Sequence, residues 1–403
     1  MQIVLVVGGG ASGMMAAITA AEDSQNRVIL IEKQSRVGRK LLATGNGCCN
    51  LTNADLDVSY YFGEDRLFVK PALDYFGLEA TLDFFRSLGL ITRTEPSGRV
   101  YPYSMQANSV LDVLRFSLER PNIELRCDTE ALSIKREGAG FVTQTSTGTI
   151  KSDKLIVTAG GAAAPKLGGT MSGYKLLEAL GHSRTALYPS LVQVKTDNTY
   201  TRALKGIKAE ARVMVQRGGK AVCTSTGEVL FTEYGLSGPA VFEVSRHAST
   251  EKDLVISLDL MPGYEEKEVA AILFERKISG AGRSCEDFLT GILNKRLGQT
   301  VLKYADIALS QPISALKDGQ LFKIARSIKS FNFTVMGTTG FENAQVTAGG
   351  IRTSEFDSHT LESKICPGLY AAGEVLDVDG CCGGYNLQWA WSSGRLSGRL
   401  GNI

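Results

Sequence analysis

The sequence predicts an α/β protein in which a discontinuous Rossmann-like domain is interrupted by an inserted domain. Near the N-terminus, the apolar, β-branched run Gln2–Val7 leads directly into a glycine-rich turn and a helical stretch of small residues, as in a parallel sheet covered by helices. After Pro189 these βα units give way to β-rich sequence and then to a more charged helical stretch. Glycine-rich sequence like that of the N-terminal part resumes at Gly337. At 403 residues, the chain also exceeds the roughly 250–300 residues that one hydrophobic core supports.

The turn after the first strand has the GxGxxG spacing of dinucleotide-binding units and consists of Gly8, Gly9, Gly10, Ala11, Ser12 and Gly13. We expect Gly8 to make the tight turn, Gly10 to let the backbone approach a pyrophosphate, and Gly13 to pack between helix and strand. A second predicted strand, Arg27–Ile31, ends in Glu32, where the pattern requires an acid that binds the adenosine ribose. The sequence therefore predicts a dinucleotide site rather than a purely structural turn.

The loop that follows favours FAD as the dinucleotide. Gly38–Asn53 is rich in Gly and Asn, and it is longer than a structural turn requires. A simple nicotinamide dehydrogenase would continue with another strand and helix, whereas this loop can wrap a pyrophosphate and reach a flavin. A solvent-exposed loop is the alternative. A later buried strand ends in Ala159, Gly160 and Gly161, whose small size suits backbone packing against a cofactor.

A second cofactor segment is expected near the C-terminus. A predicted strand ends at Gly373 and Glu374, and such an acid can bond the ribityl hydroxyls of a flavin. Gly384 opens a helix whose first N–H groups, near Asn386 and Leu387, would face the pyrimidine end of the isoalloxazine. The helix dipole would stabilise negative charge there by about 0.3–1 kcal/mol. The remaining expected cofactor contacts are Lys33, Lys40, Gly45 and Ala131.

We place the domain boundaries where the predicted secondary structure and the glycine content of the sequence change. The FAD-binding domain is predicted at 1–190 and 337–403, and the inserted substrate domain at 191–336, β-rich over 191–262 and helical over 263–330. Within the first part, apolar residues at helical spacing predict helices over Pro71–Leu88 and Ala107–Glu119.

The composition favours a globular cytoplasmic protein. Hydrophobic residues make up 43% of the chain, which excludes disorder, and the net charge of 44 − 42 = +2 gives no general attraction to nucleic acid or membrane. The eight cysteines are scattered without a CxxC, as expected for thiols in a reducing compartment. Ile3–Ala21 is uncharged, but it lacks a basic flank and contains four glycines, so we interpret it as a strand and helix rather than a leader or membrane span.

One segment of the inserted domain is strongly basic. Seven basic residues stand there against Asp197 and Glu210, and they are Lys195, Arg202, Lys205, Lys208, Arg212, Arg217 and Lys220. Such a strip is usually a solvated face, and the alternative is a contact surface for RNA or an anionic substrate. The three histidines occur singly and predict no metal site.

With these motifs the chain resembles the BaiN/RdsA family of FAD-dependent oxidoreductases over essentially its whole length. The most specific segments are Thr44–Asn53, Phe231–Pro239 and Gly373–Gly394. The resemblance implies a Rossmann-like FAD domain interrupted by a β-barrel-like portion and a helical portion. Two positions depart from the family pattern: Cys48 stands where Arg is common, and Glu233 where many relatives carry His.

The family's activities include reduction of a conjugated C=C bond in steroid intermediates and formation of dihydrouridine in ribosomal RNA. We therefore expect a reductase that uses NAD(P)H, as a transient co-substrate, to saturate an enone or a uracil-like ring in a small molecule. The alternatives are an rRNA-acting dihydrouridine-forming flavoprotein and an amine oxidase that uses O2. Candidate proton donors are Cys49, Cys382, Tyr103, Tyr234 and Tyr385, for each of which a structural role is the alternative. Tyr234 is expected to line a substrate cleft between the two domains.

Overall fold

The computed structural model describes residues 1–402, which divide into two compact units. The first unit comprises Met1–Tyr188 and the segment from Gln345 onward, and the second unit comprises Pro189–Ala344. No helix within the described residues is long and apolar enough to cross a membrane.

The first unit is built on a five-stranded parallel sheet with the strand order Leu369–Ala371, Lys154–Val157, Gln2–Val7, Asn26–Ile31 and Ile123–Arg126. Its helices are Ala11–Ala20, Lys70–Tyr75, Leu78–Ser87, Ala107–Ser117, Ser172–Glu178 and Tyr385–Gly398. Smaller antiparallel pairings join Ala131–Glu137, Gly140–Thr145 and Gly148–Ser152; Thr52–Asn53, Arg99–Pro102 and Thr92–Thr94; and Tyr61–Phe62 with Asp379–Gly380. The strand Val346–Ala348 also belongs to this unit, and Tyr188–Ser190 spans the boundary. A parallel sheet covered by helices confirms the predicted fold class.

The second unit contains a closed antiparallel barrel with helices. The barrel strands, in order around it, are Val194–Thr196, Gly235–Ser237, Lys220–Phe231, Lys208–Arg217, Leu254–Asp259 and Phe331–Thr338. The helices are Pro239–Thr250, Glu266–Ser279, Lys295–Tyr304 and Asp318–Lys329. Aromatic rings fill the core, where Phe331 contacts Phe333 edge to face with 4.6 Å between ring centroids.

The Ala11–Ala20 helix, called the N-terminal helix below, packs very closely on the Tyr385–Gly398 helix, called the C-terminal helix. A Cβ on Gly394 would lie 2.5 Å from Ser12 O, and a Cβ on Gly398 would lie 2.6 Å from Ala16 O. Only glycine fits at either position, because the backbones themselves are in contact. This packing fixes the two helices against each other.

The predicted helix over Pro71–Leu88 is wrong in one respect, because it is broken into two helices after Tyr75. Phe76 leaves the helical region with φ −137° and ψ 70°, and Gly77 caps the next helix. The carbonyl of Phe76 is instead bonded by Gln388 Nε2 at 2.9 Å and by Ser392 Oγ at 2.5 Å. Side chains from the C-terminal helix therefore stabilise a break that local periodicity does not reveal.

Gln388 is the centre of a buried polar network that joins three segments of the first unit. Its Oε1 accepts a hydrogen bond from Thr52 Oγ1 at 2.6 Å, and its Nε2 lies 2.9 Å from Phe76 O, Thr81 Oγ1 and Ser392 Oγ. All these groups are buried, so each depends on the network for its hydrogen bonds.

We expect Gln388→Leu to lower the free energy of unfolding by about 2–4 kcal/mol, because it leaves several buried polar groups without partners. Urea denaturation followed by circular dichroism measures the change. Gln25→Leu, on the exposed surface, is the control and should stay within about 0.5 kcal/mol of the parent. Equal effects of the two changes would contradict the structural role of Gln388.

A buried histidine joins two other parts of the first unit. His182 Nδ1 lies 2.8 Å from Glu355 Oε2, and His182 Nε2 lies 2.9 Å from Ser363 Oγ. A carboxylate only accepts, so Nδ1 carries the proton and Nε2 accepts from Ser363. The Ser363 oxygen already accepts from the N–H groups of Ile365 and Cys366. A second ring proton would therefore meet an oxygen with no free lone pair, and the cluster holds neutral histidine.

Burial lowers the pKa of His182 below its ordinary 6.5, although Glu355 opposes the shift. For Glu355, burial alone would raise the pKa, but hydrogen bonds from Ser183 and His182 outweigh it, so the pKa is lowered. A folded state that disfavours the protonated histidine is most stable above pH 6.5 and loses that contribution as the pH falls towards the folded pKa.

We expect the free energy of unfolding to decrease between about pH 7.5 and about pH 5.5, with a slope from His182 of at most about 1.4 kcal/mol per pH unit. In His182→Gln this part of the slope should disappear, whereas contributions from the rest of the protein are common to both proteins and cancel in the comparison. Parallel pH profiles for the two proteins would show that His182 is protonated equally in the folded and unfolded states.

Candidate functional site

The glycine-rich turn lies at the carboxyl end of the central strand, and its glycines have different roles. Gly8 has φ +108°, and a Cβ there would lie 2.6 Å from Thr158 O. A Cβ on Gly13 would lie 1.8 Å from Gly8 O. At Gly10, by contrast, a Cβ would meet no atom within 4 Å. The fold therefore requires glycine at Gly8 and Gly13, whereas Gly10 lies beside open space.

The N-terminal helix begins at this turn with unpaired donors. Its first intrahelical bond runs from Met14 N–H to Gly10 O at 2.9 Å, so the N–H groups of Ala11, Ser12 and Gly13 lie at the open end. Gly10 is the N-cap and offers no side chain to these donors. Donors and a partial positive charge beside open space suit a phosphate group.

Glu32 follows the second strand directly, as predicted. Its carboxylate accepts hydrogen bonds of 2.8 Å from the N–H of Gly9 and from one other backbone N–H, so it holds the turn in place. Each oxygen keeps a further lone pair that a ribose hydroxyl can use. The N–H of Thr129 donates to Glu32 O at 2.9 Å, so the segment that contains Thr129 runs beside Glu32. The buried Ala131 follows two residues later in that segment. Lys33 is half-buried beside this acid.

The Gly- and Asn-rich loop is ordered by left-handed residues. Leu41–Gly47 forms irregular 3-10 turns in which Gly45 has φ +56°, and a Cβ on Gly45 would lie 2.9 Å from Asn50 N. Asn50 is buried, yet its Oδ1 has no hydrogen-bond partner within residues 1–402. A buried amide oxygen without a protein partner can accept a hydrogen bond from a bound ligand or water.

Two further predicted segments meet through a salt bridge. Lys40 Nζ lies 2.6 Å from Glu374 Oε2, although the residues are 334 positions apart. Ala159, Gly160 and Gly161 follow the adjacent strand, and a Cβ on Gly161 would lie 2.6 Å from Glu374 Oε1. Gly160 has φ +70°, and its Cβ position is open, like that of Gly10. The tertiary structure thus brings the loop, the small residues and the C-terminal acid together.

The C-terminal helix begins at Gly384, which has φ +106° and would clash with Thr52 O at 2.4 Å if it carried a Cβ. The N–H groups of Asn386 and Leu387 precede the first intrahelical bond and are available, as predicted. The Asn386 side chain is used within the protein, since its Oδ1 accepts from Gly380 N at 2.8 Å and its Nδ2 donates to Gly380 O at 2.7 Å. The side-chain amide protons of Asn386 are thus used within the protein, and its backbone N–H is the donor left for a ligand.

These features fit the predicted FAD. The N-terminal helix and the space beside Gly10 suit the pyrophosphate, and Glu32 lies where the adenosine ribose would bind. The unsatisfied oxygen of Asn50 and the uncapped start of the C-terminal helix suit the polar edge of a flavin. The assignment of individual residues to the cofactor stays a prediction.

The two predicted cysteine donors have different surroundings. Cys49 is completely buried in the hydrophobic core, and burial raises the pKa of its thiol to about 12. Cys382 is half-buried in the loop before the C-terminal helix. Burial in a hydrophobic cluster favours a structural role for Cys49, so Cys382 is the better placed of the two.

The tyrosines lie in separate units. Tyr385 stacks on Tyr60 with 4.5 Å between ring centroids, and its hydroxyl donates to Asp55 O at 3.0 Å. Burial, and then the charges of Tyr60 and Asp55, raise the pKa of Tyr385 well above its ordinary value, so it retains its proton. Tyr234 belongs to the second unit and is 38% exposed. Sequence reasoning missed Tyr60 and Asp55, because no motif links them to the C-terminal helix.

The basic strip of the second unit is partly neutralised. Lys205 pairs with Glu233 at 2.6 Å, and Lys208 with Glu228 at 3.0 Å. Arg217 pairs with Glu251 at 2.9 Å. These acids lie outside the 195–220 segment, so a count along the sequence overstates the positive charge of the folded surface.

Comparison with known proteins identifies relatives over the whole chain. The family model described as HI0933-like protein Rossmann domain matches residues 2–400. A 3-dehydro-bile acid delta(4,6)-reductase from Clostridium scindens is 40% identical over 399 residues, covering 98% of this chain and 97% of that protein. A ribosomal RNA dihydrouridine synthase from Escherichia coli is 30% identical, covering 96% and 95% of the two chains.

Solved structures share the fold at low identity. The 3-ketosteroid delta1-dehydrogenase from Sterolibacterium denitrificans, in complex with 1,4-androstadiene-3,17-dione, aligns with a TM-score of 0.51 and 14% identity, covering 99% of each chain. At this identity the likeness shows the fold alone.

We expect Gly10→Val to fold normally but to lose FAD binding, because its Cβ position is free of protein atoms and the branched side chain would fill the proposed pyrophosphate space. Thermal unfolding and fluorescence titration with FAD measure the two properties separately. Gly13→Val is the matched control and should destabilise the protein, since its Cβ would clash with Gly8 O. Normal FAD affinity in Gly10→Val would exclude this turn from the site.

Proposed function

The chain belongs to the HI0933-like Rossmann-domain family, and on that premise we propose that it is an FAD-dependent oxidoreductase that reduces a conjugated C=C bond with NAD(P)H as electron donor. The observation that carries the proposal is the 40% identity to a reductase of this kind over 98% of the chain. The glycine-rich turn and the uncapped N-terminal helix support the cofactor assignment.

The first unit would hold the cofactor at several points. The N-terminal helix would bind the pyrophosphate, Glu32 the ribose hydroxyls, and Glu374 the ribityl chain. The N–H groups of Asn386 and Leu387 would lie at the pyrimidine end of the flavin, where the helix dipole favours negative charge.

The bound flavin would supply a two-electron carrier that takes a hydride from NAD(P)H and delivers it to the electron-poor carbon of the substrate. Saturation of the C=C bond then requires one proton at the neighbouring carbon, and the protein has to provide it. Cys382 and Tyr385 are the candidates in the first unit, because they flank the start of the C-terminal helix. The raised pKa of Tyr385 keeps its hydroxyl protonated at neutral pH. Tyr234, and the substrate role of 191–336, stay predictions.

A planar enone, such as a 3-oxo steroid with a conjugated double bond, is the substrate class we favour. The full-length similarity to the Clostridium scindens reductase supports it, and so does the partial neutralisation of the basic strip, which weakens an RNA surface. Dihydrouridine formation in ribosomal RNA is the second candidate, on the 30% identity to the Escherichia coli synthase.

We expect the purified protein to be yellow, and its flavin to be reduced by NADH or NADPH and reoxidised anaerobically by an enone steroid. Stopped-flow spectroscopy follows both half-reactions. Reoxidation by a uridine-containing rRNA fragment but by no enone would favour the second candidate. Reoxidation by O2 alone would favour an oxidase, and a protein that takes up no flavin would contradict the whole assignment.

We also expect Cys382→Ala to slow reoxidation by the enone at least about tenfold, if its thiol supplies the proton. Reduction by NAD(P)H and FAD affinity should be unchanged, because neither needs that proton. Cys127→Ala, at another half-buried cysteine, is the matched control. An unchanged rate for Cys382→Ala would leave Tyr385 as the candidate donor in the first unit.

A further inference from the structure

The Lys40–Glu374 salt bridge is less exposed than most ion pairs of the described residues. It lies within the first unit, with the Lys40 side chain 30% exposed and the Glu374 side chain 19% exposed. It joins the loop after the second strand to the segment after the strand Leu369–Ala371. Exposed surface pairs contribute little to stability, but a partly buried pair at a cofactor site can control charge.

The second oxygen of the Glu374 carboxylate also accepts a hydrogen bond from the protein. Thr347 N–H donates to Glu374 Oε1 at 2.8 Å, and Thr347 Oγ1 in turn accepts from Ala163 N–H at 3.0 Å. Gly161 packs directly against the carboxylate, with no room for a Cβ. The carboxylate is therefore fixed in one orientation by Lys40 on one side and Thr347 on the other.

The residue that precedes this acid in the chain lies against the first turn of the N-terminal helix. A Cβ on Gly373, the residue before Glu374, would lie 2.5 Å from Ser12 Oγ. The charge of Glu374 also affects a neighbouring side chain. Burial raises the pKa of the Tyr174 hydroxyl well above its ordinary value, and the negative charge of Glu374 raises it further. An unpaired carboxylate here would repel the two negative charges of a dinucleotide pyrophosphate at the neighbouring helix.

We propose that Lys40 is a positioning residue that neutralises Glu374, so that this acid can lie beside the pyrophosphate and accept hydrogen bonds from the flavin's sugar chain. The proposal rests on the proposed FAD binding and adds a function for the pair. Lys40 acts through Glu374, and its main effect is to remove a repulsion. The competing explanation is that Lys40 attracts the phosphate directly and independently of Glu374.

The two explanations differ in the sign of their coupling. If Lys40 neutralises Glu374, Lys40→Met exposes the carboxylate and weakens binding strongly, and removing the acid as well restores affinity. If Lys40 acts alone, the double variant binds no better than Lys40→Met. A double-mutant cycle on FAD affinity separates them.

The experiment measures the FAD dissociation constant of the deflavinated protein by fluorescence titration. We expect Lys40→Met to weaken binding about 10- to 100-fold, as when one partner of a partly buried pair is removed. Glu374→Gln should weaken it less, and the Lys40→Met/Glu374→Gln variant should bind at least about fivefold more tightly than Lys40→Met. A double variant that binds as weakly as Lys40→Met, or more weakly, would overturn the proposal.

Two further variants keep the test decisive. Arg39→Met removes a neighbouring exposed charge that bonds Gln34 instead, and it should change affinity less than about threefold. If Lys40→Met does not fold, Lys40→Gln replaces it in the same cycle, and a Lys40→Gln/Glu374→Gln variant that binds no more tightly than Lys40→Gln would overturn the proposal. Failure of the parent protein to bind FAD would contradict the proposed function, whereas binding without positive coupling would contradict only this inference.

Discussion

The contact between the N-terminal helix and the turn that precedes it is the constraint on which the cofactor site depends. Gly13 lies so close to Gly8 O that a Cβ would be only 1.8 Å from that oxygen, and a Cβ on Gly394 of the C-terminal helix would lie 2.5 Å from Ser12 O. Backbone contacts of this kind leave little freedom in the direction of either helix. The free N–H groups of the N-terminal helix are consequently fixed at the carboxyl edge of the parallel sheet, where ligands of such folds bind.

The site contains two kinds of polar group, and the structure separates them. The Asn386 side chain and Gln388 satisfy the protein's own hydrogen bonds and hold the start of the C-terminal helix in place. The space beside Gly10 and the Asn50 Oδ1 atom are not used in this way, because a Cβ on Gly10 would meet no atom within 4 Å and Asn50 Oδ1 is buried without a partner in the described chain. Groups that the fold does not use are the ones most informative about a ligand.

Neighbouring residues of the same type are also separated by their surroundings. Cys49 and Cys382 are both members of vicinal cysteine pairs in predicted cofactor loops, yet Cys49 belongs to the hydrophobic core and Cys382 is partly accessible. The basic strip of the second unit shows the same effect for charge, since acids from outside the strip pair with Lys205, Lys208 and Arg217. Residue type therefore restricts the chemistry, and burial and pairing decide which residue can perform it.

The sequence by itself determined the parallel strands, the glycine-rich turn, the position of Glu32 and the change of texture at the inserted segment, because each depends on residues close together in the chain. The periodicity of apolar residues did not predict the helix break at Phe76. Gln388 and Ser392, more than 300 residues later in the sequence, stabilise this break. Only the tertiary structure decided that Lys40 meets Glu374, 334 residues away, and that His182 lies between Glu355 and Ser363. Such contacts form when the chain folds back on itself, and no local pattern of residues encodes which distant partner a side chain will reach.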